Sequence, residues 1–337
     1  MYDISSAKIN KVIIHQIGNK FREEGIILSN TLMPNEEKTN EIFLRNFFKP
    51  ILSKNNIYNF FHESDINLNE IYNFSKKIIE DRDSFIKQSQ NIAKCLHSVS
   101  THPNILSGEL IIILFEDIVI NKKNIKALGI YKTELKENYF SIENKEDSII
   151  LNQTYGIPTK IQKGALILED GSIYAIDTIN QKTKYWFNDF LKINLANTPK
   201  NNASIAKKIV KEIIKEVENP KSSIELAKEI NYLIKDNQQI KVQDIEDISQ
   251  KYVSSDTFNK IIEDINKKEE TTLNNQAVLD CVYLSKITKK NQHKIKLAEN
   301  LDLIVNNDLN SISDIEYIKQ KNGIKVSFLV INKQDEE

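Results

Sequence analysis

One run of the chain constrains the fold more than any other. Glu109 to Ile120 reads ELIIILFEDIVI, apolar at consecutive positions rather than at alternate ones. Its uninterrupted core, Leu110 to Phe115 with its neighbours, is far short of the ~20 residues that span a bilayer. A run this short and this apolar, rich in β-branched residues, is read as a central strand buried on both sides. The neighbouring segments fit a sheet around it. Ile9 to Ile17, Gly25 to Leu28, Ile125 to Leu135 and Ser148 to Leu151 are strand candidates. The run GALILEDGSIYAIDTI after Lys163 places two apolar stretches around Asp170-Gly171, which predicts a type I′ hairpin turn.

Helical spacing appears between these strands. Ile42, Phe43, Phe47 and Ile51 recur within 36–52, with Pro50 marking the far end, and Phe85, Ile86, Ile92, Ala93 and Leu96 form one stripe of 84–99. Tyr185 to Leu191 (YWFNDFL) is a short aromatic helix or strand that closes the region. Asn194 to Asn202 is the linker candidate, and beyond it the pattern changes. Ile205, Ile209, Ile213 and Val217 repeat every four residues, and Ser222 or Ser223 can cap the next helix. Helices follow over 242–252 and 256–270, the latter capped by Ser255. A strand at 295–305 comes next, then a hairpin of Ile315–Lys321 and Ile324–Ile331 turning at Asn322-Gly323.

The fold class expected is therefore α+β. An antiparallel-sheet N-terminal domain with packed helices, 1–195, is expected to be followed by a mainly helical C-terminal region, 203–333, that ends in a β-hairpin. Closely spaced strands with short turns favour antiparallel pairing over βαβ crossovers. The aromatics of 43–61 (Phe43, Phe47, Phe48, Tyr58, Phe60, Phe61) exceed what a two-layer core needs and suggest a homodimer.

Several function classes drop out. The chain of 337 residues has 46 Lys+Arg against 47 Asp+Glu, a net charge of −1, so no global electrostatic footprint for nucleic acid exists. Only Arg22, Arg45 and Arg82 are arginine. Eight glycines include no G-x-x-x-x-G-K-[ST] and no G-x-G-x-x-G, so no phosphate cradle or nucleotide cofactor is expected. Cys95 and Cys281 have no C-x-x-C partner and read as reduced thiols of a cytoplasmic protein, with no membrane segment. There is no H-E-x-x-H, and His97 with His102 lacks a third ligand, so no metal site is assigned. His15 reads as a hydrogen-bonded core or edge histidine, and His62 belongs to an aromatic segment. No catalytic residue is assigned.

Two constellations remain. Asp117, Glu134 and Lys136 follow the D…E-x-K order of Mg²⁺-dependent nucleases, where two carboxylates hold the cation and a lysine orients the attacking water. That is the enzymatic alternative. Ser285 to Lys296 (SKITKKNQHKIK) carries Lys286, Lys289, Lys290, His293, Lys294 and Lys296 without an acid. Such a segment can neutralise phosphates and release counterions, and without interleaved aromatics it favours duplex backbone over single strands.

Five segments, in order, resemble a known family: Lys11 onward (KVIIHQIGNKFREEGIILS), Tyr58 onward (YNFFHESDINLNEIY), Ser107 onward (SGELIIILFEDI), Ala127 onward (ALGIYKTE) and Tyr185 onward (YWFNDFL). They are similar to the bacterial nucleoid-associated proteins typified by NdpA, also called YejK, over about residues 8–192. The resemblance implies association with the nucleoid, a DNA-binding or DNA-proximal role and no established enzymatic activity. It transfers no DNA-contacting residue. The expected function is a non-enzymatic nucleoid-associated protein, in the cytoplasm, that binds DNA or DNA-bound proteins without strong sequence specificity. An adaptor reaching the nucleoid through a partner such as a topoisomerase is a further alternative.

Overall fold

The computed structural model describes residues 2–3, 6–53, 56–120, 122–179, 183–288, 292–298, 301–306, 312–320 and 323–330. The chain forms two compact units, Met1–Ala196 and Asn197–Glu337.

The first unit is built on one antiparallel sheet. Its strands are β1 (Tyr2–Asp3), β2 (Lys8–Ile17), β3 (Ile26–Ile27), β4 (Tyr58–Phe60), β5 (Gly108–Ile120) and β6 (Lys123–Thr133). After a separate hairpin of β7 (Glu137–Lys145) and β8 (Ser148–Gly156), it continues with β9 (Lys163–Leu168), β10 (Ile173–Asp177) and β11 (Ile193–Leu195). The order is β11-β4-β10-β9-β6-β5-β2-β3, with β1 beside β5. The long apolar run lies in the interior as β5, and its alternate residues enter two different cores. Leu110, Ile112 and Leu114 pack on one face, and Ile111, Ile113 and Phe115 on the other.

Helices cover both faces. α1 (Glu37–Phe43), a π-helical stretch Leu44–Phe48 and α2 (Lys49–Leu52) run on as one rod. The widened turn sits directly before Pro50, which has no N–H to return to the preceding turn. Phe43, Phe47 and Phe48 are buried against Tyr131 and Phe115, with edge-on contacts from Phe47 to both Phe43 and Tyr131. The opposite face is covered by α3 (Glu70–Glu80), α4 (Phe85–Val99) and the π-helical segment Tyr185–Leu191, which inserts Trp186, Phe187 and Phe190. Asn69 caps α3 by accepting from Tyr72 N, and its amide donates to the carbonyls of Phe61, Leu191 and Lys192.

Some local expectations change. The turn at Asp170-Gly171 is not type I′, because Gly171 alone has positive φ, at 89°. Gly171 N donates to Leu168 O, and Leu168 N to Ser172 O, giving a three-residue loop with Gly171 in the bulge position. The aromatic surplus of 43–61 is consumed inside the molecule, where Phe43, Phe47, Phe48 and Tyr58 are buried, and so it no longer argues for a dimer.

The second unit opens with α5 (Pro199–Glu216) and α6 (Pro220–Asp236). It continues with β12 (Gln239–Lys241), α7 (Val242–Ser249), α8 (Ser255–Glu269), β13 (Val278–Asp280) and α9 (Cys281–Thr288). Each of the two long helices begins with a capping side chain followed by proline, Thr198-Pro199 and Asn219-Pro220. Asn219, not Ser222 or Ser223, caps α6, and Ser254 rather than Ser255 caps α8. Asn202 donates to Val278 O and ties α5 to β13. The region expected as one strand at 295–305 is a hairpin of β14 (Gln292–Ala298) and β15 (Leu301–Asn306). A second hairpin, β16 (Ile312–Gln320) with β17 (Gly323–Val330), ends the fold; residues 321–322 of its expected turn lie outside the described residues.

Candidate nucleic-acid interface

The nuclease alternative is tested first by the sheet register. Asp117 sits in a bulge of β5 with φ 56°, next to the Ile118–Ile125 pairing. Glu134 follows the Glu109–Thr133 pairing at the other end of the same two strands. At about 3.3 Å per residue the two carboxylates are roughly 25 Å apart and cannot share one cation. Asp117 pairs instead with Lys8 at 3.0 Å, and this contact holds its carboxyl below the ordinary value. Lys136 pairs with Glu109 at 2.6 Å rather than pointing to Glu134. The D…E-x-K reading is overturned: strands that neighbour in sequence bring its members to opposite ends.

Glu134 has a different occupation. Lys132 on β6 and Lys163 on β9 are directly opposite in register. The Glu134 carboxylate lies between them, 3.0 Å from each ammonium, and accepts from the Tyr185 hydroxyl. Asp177 is 3.4 Å from the Lys163 ammonium. The ionic side chains are at most 4% exposed. Burial raises the Glu134 carboxyl, but Lys132, Tyr185 and Lys163 outweigh it and hold it below the usual carboxylate range. Burial also lowers the Lys132 ammonium, against the pull of Glu134. Closed off in this way, the cluster ties strand ends together and presents no group to a substrate.

The histidines are equally internal in their bonding. His15 is buried, its Nδ1 accepts from Ser29 N, and its Nε2 lies 3.1 Å from Ser89 Oγ. His97 reaches Glu24 O, while His62 and His102 accept from backbone two residues on, at Ser64 N and Asn104 N. Among the described residues no group of three or more His, Cys, Asp or Glu could hold a metal ion.

The basic segment begins in α9 with exposed Lys286. Lys289 and Lys290 lie outside the described residues, and His293, Lys294 and Lys296 fall in strand β14. What the sequence reading misses is on α5. Lys207 Nζ donates to Ile287 O at 2.9 Å, next to Lys286 in chain order. Lys200 Nζ lies 5.1 Å from the centre of the Tyr283 ring, also on α9. Lys200, Lys207 and Lys211 are spaced seven and four apart, so they share one stripe of the helix. None of the three pairs with a carboxylate among the described residues, whereas Lys208 pairs with Glu269 and Lys215 with Glu212. Burial lowers the Lys207 ammonium, and the positive charge of Lys211 lowers it further. The α5 stripe therefore adds unneutralised positive charge beside the start of the lysine-rich segment. Helical periodicity of lysines, rather than their density in a run, is the signal that would find it.

The fold has a closed polar cluster and a lysine stripe, and neither is a built catalytic site among the described residues. Its class is that of a nucleoid-associated protein. A family model described as nucleoid-associated protein YejK matches residues 13–324, through both units, and the chain belongs to that family. No curated protein matches the sequence.

Proposed function

We propose that this protein binds the DNA backbone directly and without base specificity, through its second unit, and that it has no enzymatic activity. The contact surface is the segment Lys286, Lys289, Lys290, His293, Lys294 and Lys296, extended by Lys200, Lys207 and Lys211 of α5. The first unit is the platform for protein partners. The observation that carries this reading is the bond from Lys207 Nζ to Ile287 O, which brings α5, whose Lys200, Lys207 and Lys211 have no carboxylate partner among the described residues, beside the start of the basic segment. Family membership supports association with the nucleoid. Lysines reaching phosphate carry no base information, which accounts for the lack of sequence preference.

A salt titration of binding to duplex DNA tests it. About four lysines on phosphates give a slope of log K against log salt near −3.6, and about six give about −5.4. Replacing Lys289, Lys290 and Lys294 by glutamine should flatten the slope by up to about 3 units, and replacing Lys207 and Lys211 by up to about 2. Supercoiled DNA should stay intact with Mg²⁺ present. Wild-type affinity and slope in the variants would remove the assignment. Negligible affinity of the wild type for naked DNA at physiological salt would favour recruitment by a DNA-bound protein instead.

A further inference from the structure

A cavity of about 560 Å³ opens in the first unit between α3, strand β4 and the loop that joins β9 to β10. Its volume is that of a small-ligand site. Two rows of α3 line it, because residues four apart stack along a helix. The inner row supplies Ser75 and Ile79, both buried, and the outer row supplies Tyr72, Lys76 and Glu80. Phe60 of β4 meets the Tyr72 ring edge-on, with ring centres 5.6 Å apart, and makes an aromatic corner. Ser75 is 1% exposed, yet its hydroxyl has no hydrogen-bond partner among the described residues. The buried hydroxyls of Ser100 and Ser249, by contrast, return to the carbonyls of Leu96 and Ile245. Ser75 Oγ is therefore free to accept a hydrogen bond from a group inside the cavity.

We propose that this cavity binds a small linear alkyl diamine, with its methylene chain along Ile79, Ile167 and the two rings, one ammonium at Ser75 Oγ and the other at the rim carboxylates. The rim carries Glu80, Glu169 and Asp170, all exposed, against Lys76 as the one lining cation. Lys126 lies close by, but its ammonium is committed to Ile79 O at 3.0 Å. Lys76 itself shows what the site accommodates. Its Nζ lies 5.9 Å from the centre of the Tyr72 ring and 3.9 Å from Glu80, so an ammonium on a methylene stem already sits between an aromatic face and a carboxylate. Other ligand classes fit less well. An anion meets three carboxylates, a purely apolar molecule leaves Ser75 unpaired, and no group among the described residues could hold a bare metal ion.

Calorimetric titration of the full chain with cadaverine, an aliphatic diamine, at low ionic strength and without DNA tests the assignment. One site per chain is expected, with a Kd of about 0.1–1 mM for so small a ligand. Glu80→Gln with Asp170→Asn should weaken binding about tenfold or more. Ser75→Ala should weaken it about threefold while the urea midpoint stays at or above the wild-type value, since an unpaired buried hydroxyl is removed. Lys76→Gln should tighten it about threefold by clearing the Tyr72 face, whereas Lys77→Gln, outside the cavity, should change it little. No binding by the wild type up to about 10 mM diamine overturns the proposal. So does equal binding of pentanol, wild-type affinity in the Glu80→Gln, Asp170→Asn variant, or binding of a lysine-containing peptide without binding of the free diamine.

Discussion

Lys132 and Lys163 face each other across β6 and β9 with their ammonium groups out of water. Like charges in opposed positions destabilise a sheet, and here the single carboxylate of Glu134 bridges both. Replacing it by glutamine leaves Lys132 buried without a carboxylate and Lys163 with Asp177 alone, at a cost of about 3–5 kcal/mol. Trp186, the one tryptophan, is fully buried in the first unit, so its fluorescence in a urea titration reads that loss directly. A cost below about 1 kcal/mol would mean that the pairing contributes little to stability. Glu134 is conspicuous in the sequence, but the D…E-x-K spacing suggests a metal ligand because spacing does not reveal which end of a strand pair a residue occupies. His15 gives a second residue-scale prediction. Burial lowers its pKa from 6.5 to about 4. Between those values the unfolded chain takes up a proton that the folded chain refuses, so its contribution is full above pH 6.5 and is lost as pH falls through 4. Going from pH 7 to 5 should cost about 1–2 kcal/mol more in the wild type than in His15→Gln, by the same fluorescence.

Among the elements, β5 has a neighbour that leaves no room for a side chain at its first residue. Its first residue, Gly108, pairs with Ile17, and a Cβ there would meet Thr133 O at 1.7 Å. Gly108→Ala should therefore force β5 and β6 apart and cost at least ~2–3 kcal/mol. Gly25→Ala, where a Cβ meets nothing within 4 Å, should leave the urea midpoint near the wild-type value. Helix and strand types in the two cores are legible from periodicity, as Ile92, Ala93 and Leu96 of α4 and the doubly buried β5 show. The hairpin arm is less so. Its second strand is expected over 148–151 and runs to Gly156, while β7 escapes notice, since alternation of Phe140 and Ile142 among polar residues is short and no buried partner confirms it. Caps shift by a residue or more where Asn and Ser compete for one helix start, as at Asn219 and Ser223, and backbone direction into the helix decides between them.

For the whole molecule, two measurements read independent features: the salt slope reports the lysines of the second unit, and the diamine titration without DNA reports the cavity of the first. By itself the sequence determined the α+β class, the interior position of the 109–120 run, the lack of a G-x-x-x-x-G-K-[ST] or G-x-G-x-x-G motif, and the family, because each depends on local order along the chain. Apolar periodicity selects helix or strand through the need to bury one face, and that choice is made within a dozen residues. Only the tertiary structure decided that Asp117 and Glu134 lie at opposite ends of one strand pair, since register depends on the partner strand and its bulges. It likewise decided that the aromatics of 43–61 fill a core while Phe140 and Ile142 face solvent, because burial depends on what packs above a residue. The bond from Lys207 to Ile287 spans 80 residues, so α5 and α9 had to fold against each other before those lysines could belong to one surface.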